Sequence, residues 1–330
     1  MKKIALLLAV LAMFAWRMDA RIARAQMMGG DMRAMMGGGD PHSMSAVMSW
    51  MNGAELKATP SEPAPKPDAD LRSAGGRLYS EHCAICHGAK GDGHGPRATG
   101  LLPPPRDFTK GVFAYRSTPS GTLPTDEDLW KVISNGLHGT AMVPWISLSE
   151  HDRWALVAYV ETFSPRFATE ARGTPVTVPA PPQVTPELVA KGKHLYLEDC
   201  ATCHGAKGHG DGPAVMKAAQ KEMRPRDFTG GLFERGSSME DIYLTVHTGL
   251  NGTPMVSFDK ALTPDQTWAI AAHVRSLIAQ RDQRSGAISN RGMMGPMMSG
   301  AANQQERRGM MIDMPGMSGM GGMGMGMHGH

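Results

Sequence analysis

An all-α protein, built from two tandem copies of one domain between Met/Gly-rich segments, is predicted by three observations. A short cysteine–histidine stretch occurs twice, as Cys83-Ala84-Ile85-Cys86-His87-Gly88-Ala89-Lys90-Gly91 and Cys200-Ala201-Thr202-Cys203-His204-Gly205-Ala206-Lys207-Gly208. Helix-forming segments recur around each copy in the same order. Neither copy lies in a strand–helix–strand setting.

The elements follow in chain order. Lys2 and Lys3 precede an apolar run from Ile4 to Trp16, and Ala23-Arg24-Ala25 offers a small-x-small cleavage site, so residues 1–25 read as a secretory signal. The run is shorter than the roughly 20 apolar residues a membrane span requires; an uncleaved signal would leave the chain membrane-associated. Residues 26–70 comprise a Met/Gly-rich segment, in which Ser43 to Met51 is suited to a short helix, and a linker kept extended by Pro60, Pro63, Pro65 and Pro67.

The first domain is expected over residues 71–165. Leu71 to Cys83 reads as a helix, and Thr125 followed by Asp126, Glu127 and Asp128 is a helix start that runs until Gly136. Ser149 caps a last helix carrying Trp154, Leu156, Val157 and Val160. A Pro/Thr/Ala linker, extended from Ser164 to Pro182, fills residues 166–184. The second domain, 185–280, repeats the plan: Thr185-Pro186 opens a helix to Cys200, Ser238 starts the middle helix, and Thr263-Pro264-Asp265-Gln266 is a capping box.

The duplication is checked at further places. Gly75, Leu78 and Tyr79 match Gly192, Leu195 and Tyr196; Pro105-Arg106-Asp107-Phe108-Thr109 matches Pro225-Arg226-Asp227-Phe228-Thr229. Gly139-Thr140-Ala141-Met142-Val143 matches Gly252-Thr253-Pro254-Met255-Val256, and Trp154-Ala155-Leu156 matches Trp268-Ala269-Ile270. Residues 281–330 return to Met and Gly without an aliphatic stripe, end in His328-Gly329-His330, and are expected to be disordered.

Charge excludes one class of partner. The first 25 residues carry a net +4, which turns the formal +3 of the whole chain into −1 once they are removed, so nucleic acid is not an expected partner.

Cys-x-x-Cys-His is the pattern of covalently attached c-type haem, with two thiols spaced for the vinyl groups beside an imidazole that ligates iron. A structural zinc site needs its second cysteine pair about 15–20 residues away, whereas here the pairs lie a domain apart. Cys83, Cys86, Cys200 and Cys203 are thus thioether candidates, and His87 and His204 are proximal ligands. All four cysteines are in these motifs, leaving none for disulfides. Met142 and Met255 are the matched distal-ligand candidates: each follows Gly-Thr-x in a loop between helices, and a thioether favours ferrous iron. Their histidine rivals, His138 and His247, occupy unmatched positions, as do His94 and His209.

These motifs, Gly-x-x-Leu-Tyr-x-x-x-Cys-x-x-Cys-His-Gly-x-x-Gly followed by a loop methionine and a Trp-bearing terminal helix, resemble class I cytochrome c over about residues 71–165 and 185–280. The resemblance implies first and last helices packed together, with Gly75 and Gly192 permitting close approach to the Trp154 and Trp268 helices. His273 stands where the first copy has Tyr159 and departs from the repeat at that contact. The resemblance also implies that a proline carbonyl, of Pro105 or Pro225, receives the proximal imidazole N–H. Arg106 and Arg226 are candidates to neutralise a haem propionate, against the alternative of pairing with Asp107 and Asp227.

The function expected is that of a periplasmic dihaem carrier, more an electron-transfer component than an enzyme, passing single electrons between a donor and an acceptor protein. Two readings compete with it: a dihaem oxidoreductase of peroxidase or thiosulfate-oxidising type, and a redox protein that binds Cu(I) through the thioethers of its Met-rich ends.

Overall fold

The computed structural model describes residues 41–217 and 224–293. The expected export signal, the methionines before Pro41 and those beyond Met293, and the terminal histidines lie outside the described residues. The chain to Asp282 forms one compact unit; the second, Gln283–His330, contributes only the end of the last helix to what is described.

The described residues are helical and hold no strand beyond an isolated bridge between Leu123 and Arg172. In the N-terminal segment α1 spans Pro41–Met51. The first repeat comprises α2 (Ala69–Leu78), a widened π turn (Tyr79–Cys83), the one-turn α3 (Ala84–His87), α4 (Asp126–Asn135) and α5 (Glu150–Val160). After the short α6 (Arg166–Thr169), the second repeat has α7 (Pro186–Asp199), α8 (Ala201–His204), α9 (Pro213–Lys217), α10 (Met239–Thr248) and α11 (Pro264–Met293).

Local chemistry sets these boundaries. Thr125 and Asp128 close a reciprocal capping box at α4, each accepting the other's backbone N–H at 3.0 Å. Thr263 and Gln266 do the same at α11, at 2.9 and 3.3 Å. Ser149 and Ser238 accept from Asp152 N–H and Asp241 N–H at the starts of α5 and α10.

Three expectations are corrected. The helix read from Leu71 to Cys83 is not uniform: the Ala84 N–H bonds the Tyr79 carbonyl five residues back, whereas Cys200 N–H bonds Tyr196 four back. The linker read as wholly extended begins with α6, where Arg166 pairs with Glu170 one turn later and donates to the Gly111 carbonyl at 2.8 Å. Arg172 then binds Asp126 at 2.8 Å and Glu161 at 2.6 Å, fastening this stretch to the first repeat. The last helix runs to Met293, past the point where the low-complexity tail was expected to begin; Arg281 to Arg291 contains no proline, and its one glycine, Gly286, lies within the helix.

In each repeat the first and last helices cross at glycine. A Cβ on Gly75 would collide with the Ala155 carbonyl, and one on Gly192 with the Ala269 carbonyl. Beside the crossing, Tyr79 packs on Tyr159 at 5.3 Å between centroids and Tyr196 on His273 at 5.0 Å, so the departure at His273 preserves the contact. The middle helix completes each core: Trp130 lies 5.7 Å from Trp154, and Tyr243 lies 4.4 Å from Trp268.

The proline-rich arm lies against the first repeat. Trp50 is buried and stacks on His138 at 4.6 Å, and His138 Nε2 bonds the Ala54 carbonyl at 3.0 Å. Asn135 Oδ1 accepts the Ala58 N–H, and Glu150 accepts both the Ser61 N–H and hydroxyl. Glu55 also accepts the Ser237 N–H at 2.6 Å, so the arm touches both repeats.

Two predictions follow from the packing. Gly75→Ala and Gly192→Ala should each lower stability by about 1–3 kcal/mol through overpacking; unchanged denaturant midpoints would contradict the backbone contact. His273 is buried with neither ring nitrogen hydrogen-bonded, and burial, aided by Lys193, lowers its pKa. A folded state that binds fewer protons loses stability as pH falls below the unfolded value of about 6.5. His273→Tyr, which copies Tyr159, should therefore lose less stability than the parent between about pH 7.5 and about pH 5; equal losses in urea melts would exclude His273 as a source of acid sensitivity.

Candidate haem sites

The two Cys-x-x-Cys-His stretches end in one-turn helices, and the loops that follow them share a set of backbone bonds. Gly88 and Gly205 follow the histidines at φ 80° and 76°. Beyond them Gly93 N–H bonds the His87 carbonyl and Gly95 N–H the Cys86 carbonyl; Gly210 and Gly212 do the same to His204 and Cys203. The first helix is fastened to this loop by a buried tyrosine: Tyr79 O–H donates to the Gly88 carbonyl and Tyr196 O–H to the Gly205 carbonyl, each at 2.7 Å. This bond explains the Leu-Tyr part of the repeated motif.

The first of the two candidate histidines is held from behind. His87 Nδ1 bonds the Arg106 carbonyl at 3.0 Å, which leaves Nε2 available to a metal. The expected Pro105 carbonyl is not the acceptor, because the chain turns one residue later; the Pro105 carbonyl instead lies where a side chain on Gly93 would stand. In the second copy His204 Nδ1 is buried without a hydrogen bond, although the matching Arg226 backbone favours its protonated form. The Pro225 carbonyl is likewise packed against Gly210.

Phe108 stacks on His87 at 4.5 Å and Phe228 on His204 at 4.6 Å. Each phenylalanine is placed by its own N–H, which bonds the Gly91 or Gly208 carbonyl. These stacking residues were absent from the sequence-based candidates. Their signal was available in the matched Pro-Arg-Asp-Phe-Thr, where phenylalanine is the apolar member of a polar run.

Burial governs the electrostatics. It lowers the pKa of His87 and takes that of His204 down to about 4, which keeps both imidazoles in the neutral form that binds metal. It pushes the Cys83 and Cys200 thiols up to about 12, helped by Cys86 and by Asp199 respectively. Thiol–disulfide exchange is favoured by a depressed thiol pKa, and burial moves Cys83 and Cys200 the other way.

The methionine loops are also built alike. Leu137 N–H bonds the Met142 carbonyl at 2.9 Å and Leu250 N–H the Met255 carbonyl at 2.9 Å. Thr140 Oγ1 accepts the Met142 N–H at 3.0 Å and donates to Leu137; Thr253 Oγ1 accepts from Met255 at 3.1 Å and donates to Leu250. Gly139 and Gly252 take φ of 72° and 77°, which a side chain would strain. The Gly-Thr-x-Met match thus encodes a complete turn. His138 is occupied by Trp50 and Ala54, and His247 stacks on Tyr243, whereas both methionines sit at the equivalent point of one turn.

The arginines differ between copies. Arg226 Nε donates to Glu234 Oε1 at 3.0 Å and Nη2 to the His138 carbonyl at 3.1 Å, with a second short contact to Glu234. Asp107 and Asp227 accept from Thr109 and Thr229 rather than from the arginines that the alternative reading paired with them. Arg106 lies within reach of Gly252 in the second repeat.

Haem c fits these residues on the structure's own evidence: buried neutral imidazoles, one with Nδ1 already engaged, on loops that carry the two cysteines, and a matched thioether in each repeat.

Comparison with known proteins agrees. Residues 189–278 match the family model for cytochrome c, and residues 70–160 match that for cytochrome c oxidase, cbb3-type, subunit III. The chain is 26% identical over 209 residues to the cbb3-type cytochrome c oxidase subunit FixP of Azorhizobium caulinodans, across 62% of this chain but only 59% of that protein. A chain of the reducing HAO-like protein complex of Kuenenia stuttgartiensis is similar in structure, with a TM-score of 0.61 and 39% identity over 66% of this chain and 100% of the other. The chain belongs to the class I cytochrome c family, as an electron-transfer protein with two cytochrome c domains.

Proposed function

We propose that this chain is an exported dihaem cytochrome that passes single electrons between a donor and an acceptor protein. Haem c, when bound, supplies an iron that takes up and releases one electron. Cys83 and Cys86 would hold one group, with His87 and Met142 to ligate its iron. Cys200 and Cys203 would hold the other, with His204 and Met255. The single observation that carries this reading is the identical turn around Met142 and Met255, since it gives each domain the same pre-set thioether.

Each residue then has a physical task. The Arg106 carbonyl orients His87 and makes it a better donor to iron. Phe108 and Phe228 shield the imidazoles from water. Arg106 is half-buried and is the better of the two arginines for a propionate, because Arg226 is engaged by Glu234. A periplasmic site of action is supported by the basic-then-apolar N-terminus, and among the described residues no helix is long and apolar enough to cross a membrane. The similarity to subunits of an oxidase and of an HAO-like complex supports redox proteins as partners. A dihaem oxidoreductase needs one exchangeable distal position, and the matched turns speak against it.

A copper reading has one observation in its favour. Met44, Met48 and Met51 fall on one face of α1 and are 37%, 49% and 67% exposed, an arrangement of soft thioethers suited to Cu(I). Replacing all three by Ser should reduce Cu(I) uptake by the full chain; equal uptake would remove α1 from consideration.

The carrier reading is tested by two substitutions. Met255→Ala should halve the thioether-to-iron charge-transfer band at the red end of the spectrum; an intact band would mean that another residue ligates that iron. Cys83→Ala should weaken retention of one haem in denaturing mass analysis, and two fully retained groups would contradict the assignment.

A further inference from the structure

Each repeat reaches into the other at the methionine turn. Arg226 belongs to the second repeat, where its backbone lies beside the proximal His204. Its guanidinium crosses to the first repeat and donates to the His138 carbonyl at 3.1 Å, one residue before Gly139. Its Nη1 lies against Gly139 so closely that a Cβ there would collide with it. Glu234 holds the guanidinium in place from the second repeat. The counterpart runs the other way: the Arg106 carbonyl receives His87, and a Cβ on Gly252 would stand 2.9 Å from Arg106 Nη1.

Other cross-repeat contacts make this junction a fixed one. Arg116 is fully buried and donates to the Thr248 carbonyl at 2.8 Å and the Gly249 carbonyl at 3.4 Å, satisfying the C-terminal end of α10. Asn251 Oδ1, within the loop of Met255, accepts from the Ser120 hydroxyl at 3.0 Å and the Gly121 N–H at 3.3 Å. Arg235 lies 3.8 Å from Asp128.

Building on the two His/Met sites proposed above, we infer that Arg226 is a cross-domain positioning residue: it spans from the proximal histidine of the second site to the distal methionine turn of the first, and Arg106 makes the reciprocal span. The Met142 turn is thereby held in part by the domain that does not contain it, and the Met255 turn has the opposite domain's Arg106 packed against Gly252. That restraint runs through a single side chain, so loosening Arg226 loosens the opposite domain's methionine turn. The glycines of the Gly-Thr-x-Met repeat have a second role, as the space into which the foreign guanidinium fits.

The test uses full-length holoprotein in a Met255→Ala background, where the remaining charge-transfer band reports Met142 alone. Adding Arg226→Gln should lower the imidazole concentration that halves this band about tenfold, the worth of one charge-assisted hydrogen bond. Arg226→Lys, which keeps the charge and a donor, should restore part of the resistance. An unchanged halving concentration, with both haems attached by mass, would overturn the inference while leaving the ligand assignment intact. If Met255→Ala leaves the full band or none of it, the ligand assignment fails and the inference falls with it. Should Arg226→Gln give no folded protein, Glu234→Gln decides: freeing the guanidinium should shift the halving concentration in the same direction, and no shift would count against the inference.

Discussion

The crossing of the first and last helices, backbone against backbone, is the constraint on which each site depends. Gly75 against the Ala155 carbonyl and Gly192 against the Ala269 carbonyl allow an approach that any side chain would prevent. That approach brings Tyr79 and Tyr196 under the last helix, and their hydroxyls then fix the glycine after the ligating histidine. The cysteines and histidine are consequently set by packing that begins eight residues upstream of Cys83. A pair of overlapping requirements follows: the helix must be bare at one position and aromatic four residues later.

Much of this was legible in the sequence because each requirement excludes most residue types. Glycine at a helix crossing, threonine, serine or proline at a helix start, and Gly-Thr before a methionine each leave a local mark. The duplication showed every mark twice. What escaped depends on where the chain goes after a turn. A one-residue difference in chain path separates the Pro105 carbonyl from the Arg106 carbonyl as acceptor for His87, and no local preference distinguishes them. The stacking of Phe108 and Phe228 is tertiary, as are the docking of the arm through Trp50 and the linker's anchorage by Arg172. The alternative reading of the arginines, as partners of the adjacent aspartates, does not hold, because Asp107 and Asp227 are satisfied by threonines two residues on. That local bond frees the guanidinium to act elsewhere.

Buried charge at the junction has a physical consequence. Arg116, Arg226 and Arg235 are removed from much of their hydration, and carbonyls, Asp128 and Glu234 offset the cost. Pairs of this kind contribute little net stability compared with apolar packing, but removing one partner strands the other. They define one arrangement of the two domains rather than simply holding them together. For the proposed relay the separation and orientation of the two sites matter, and the directional hydrogen bonds of this junction bear on both.

The central claim is that the two domains offer equivalent closed sites, each with a histidine and a methionine. Low-temperature electron paramagnetic resonance of the oxidised full-length protein tests it most directly. The account predicts low-spin ferric signals alone, integrating to two irons per chain. A high-spin signal amounting to one iron would contradict it, since one site would then lack its methionine and be open for catalysis.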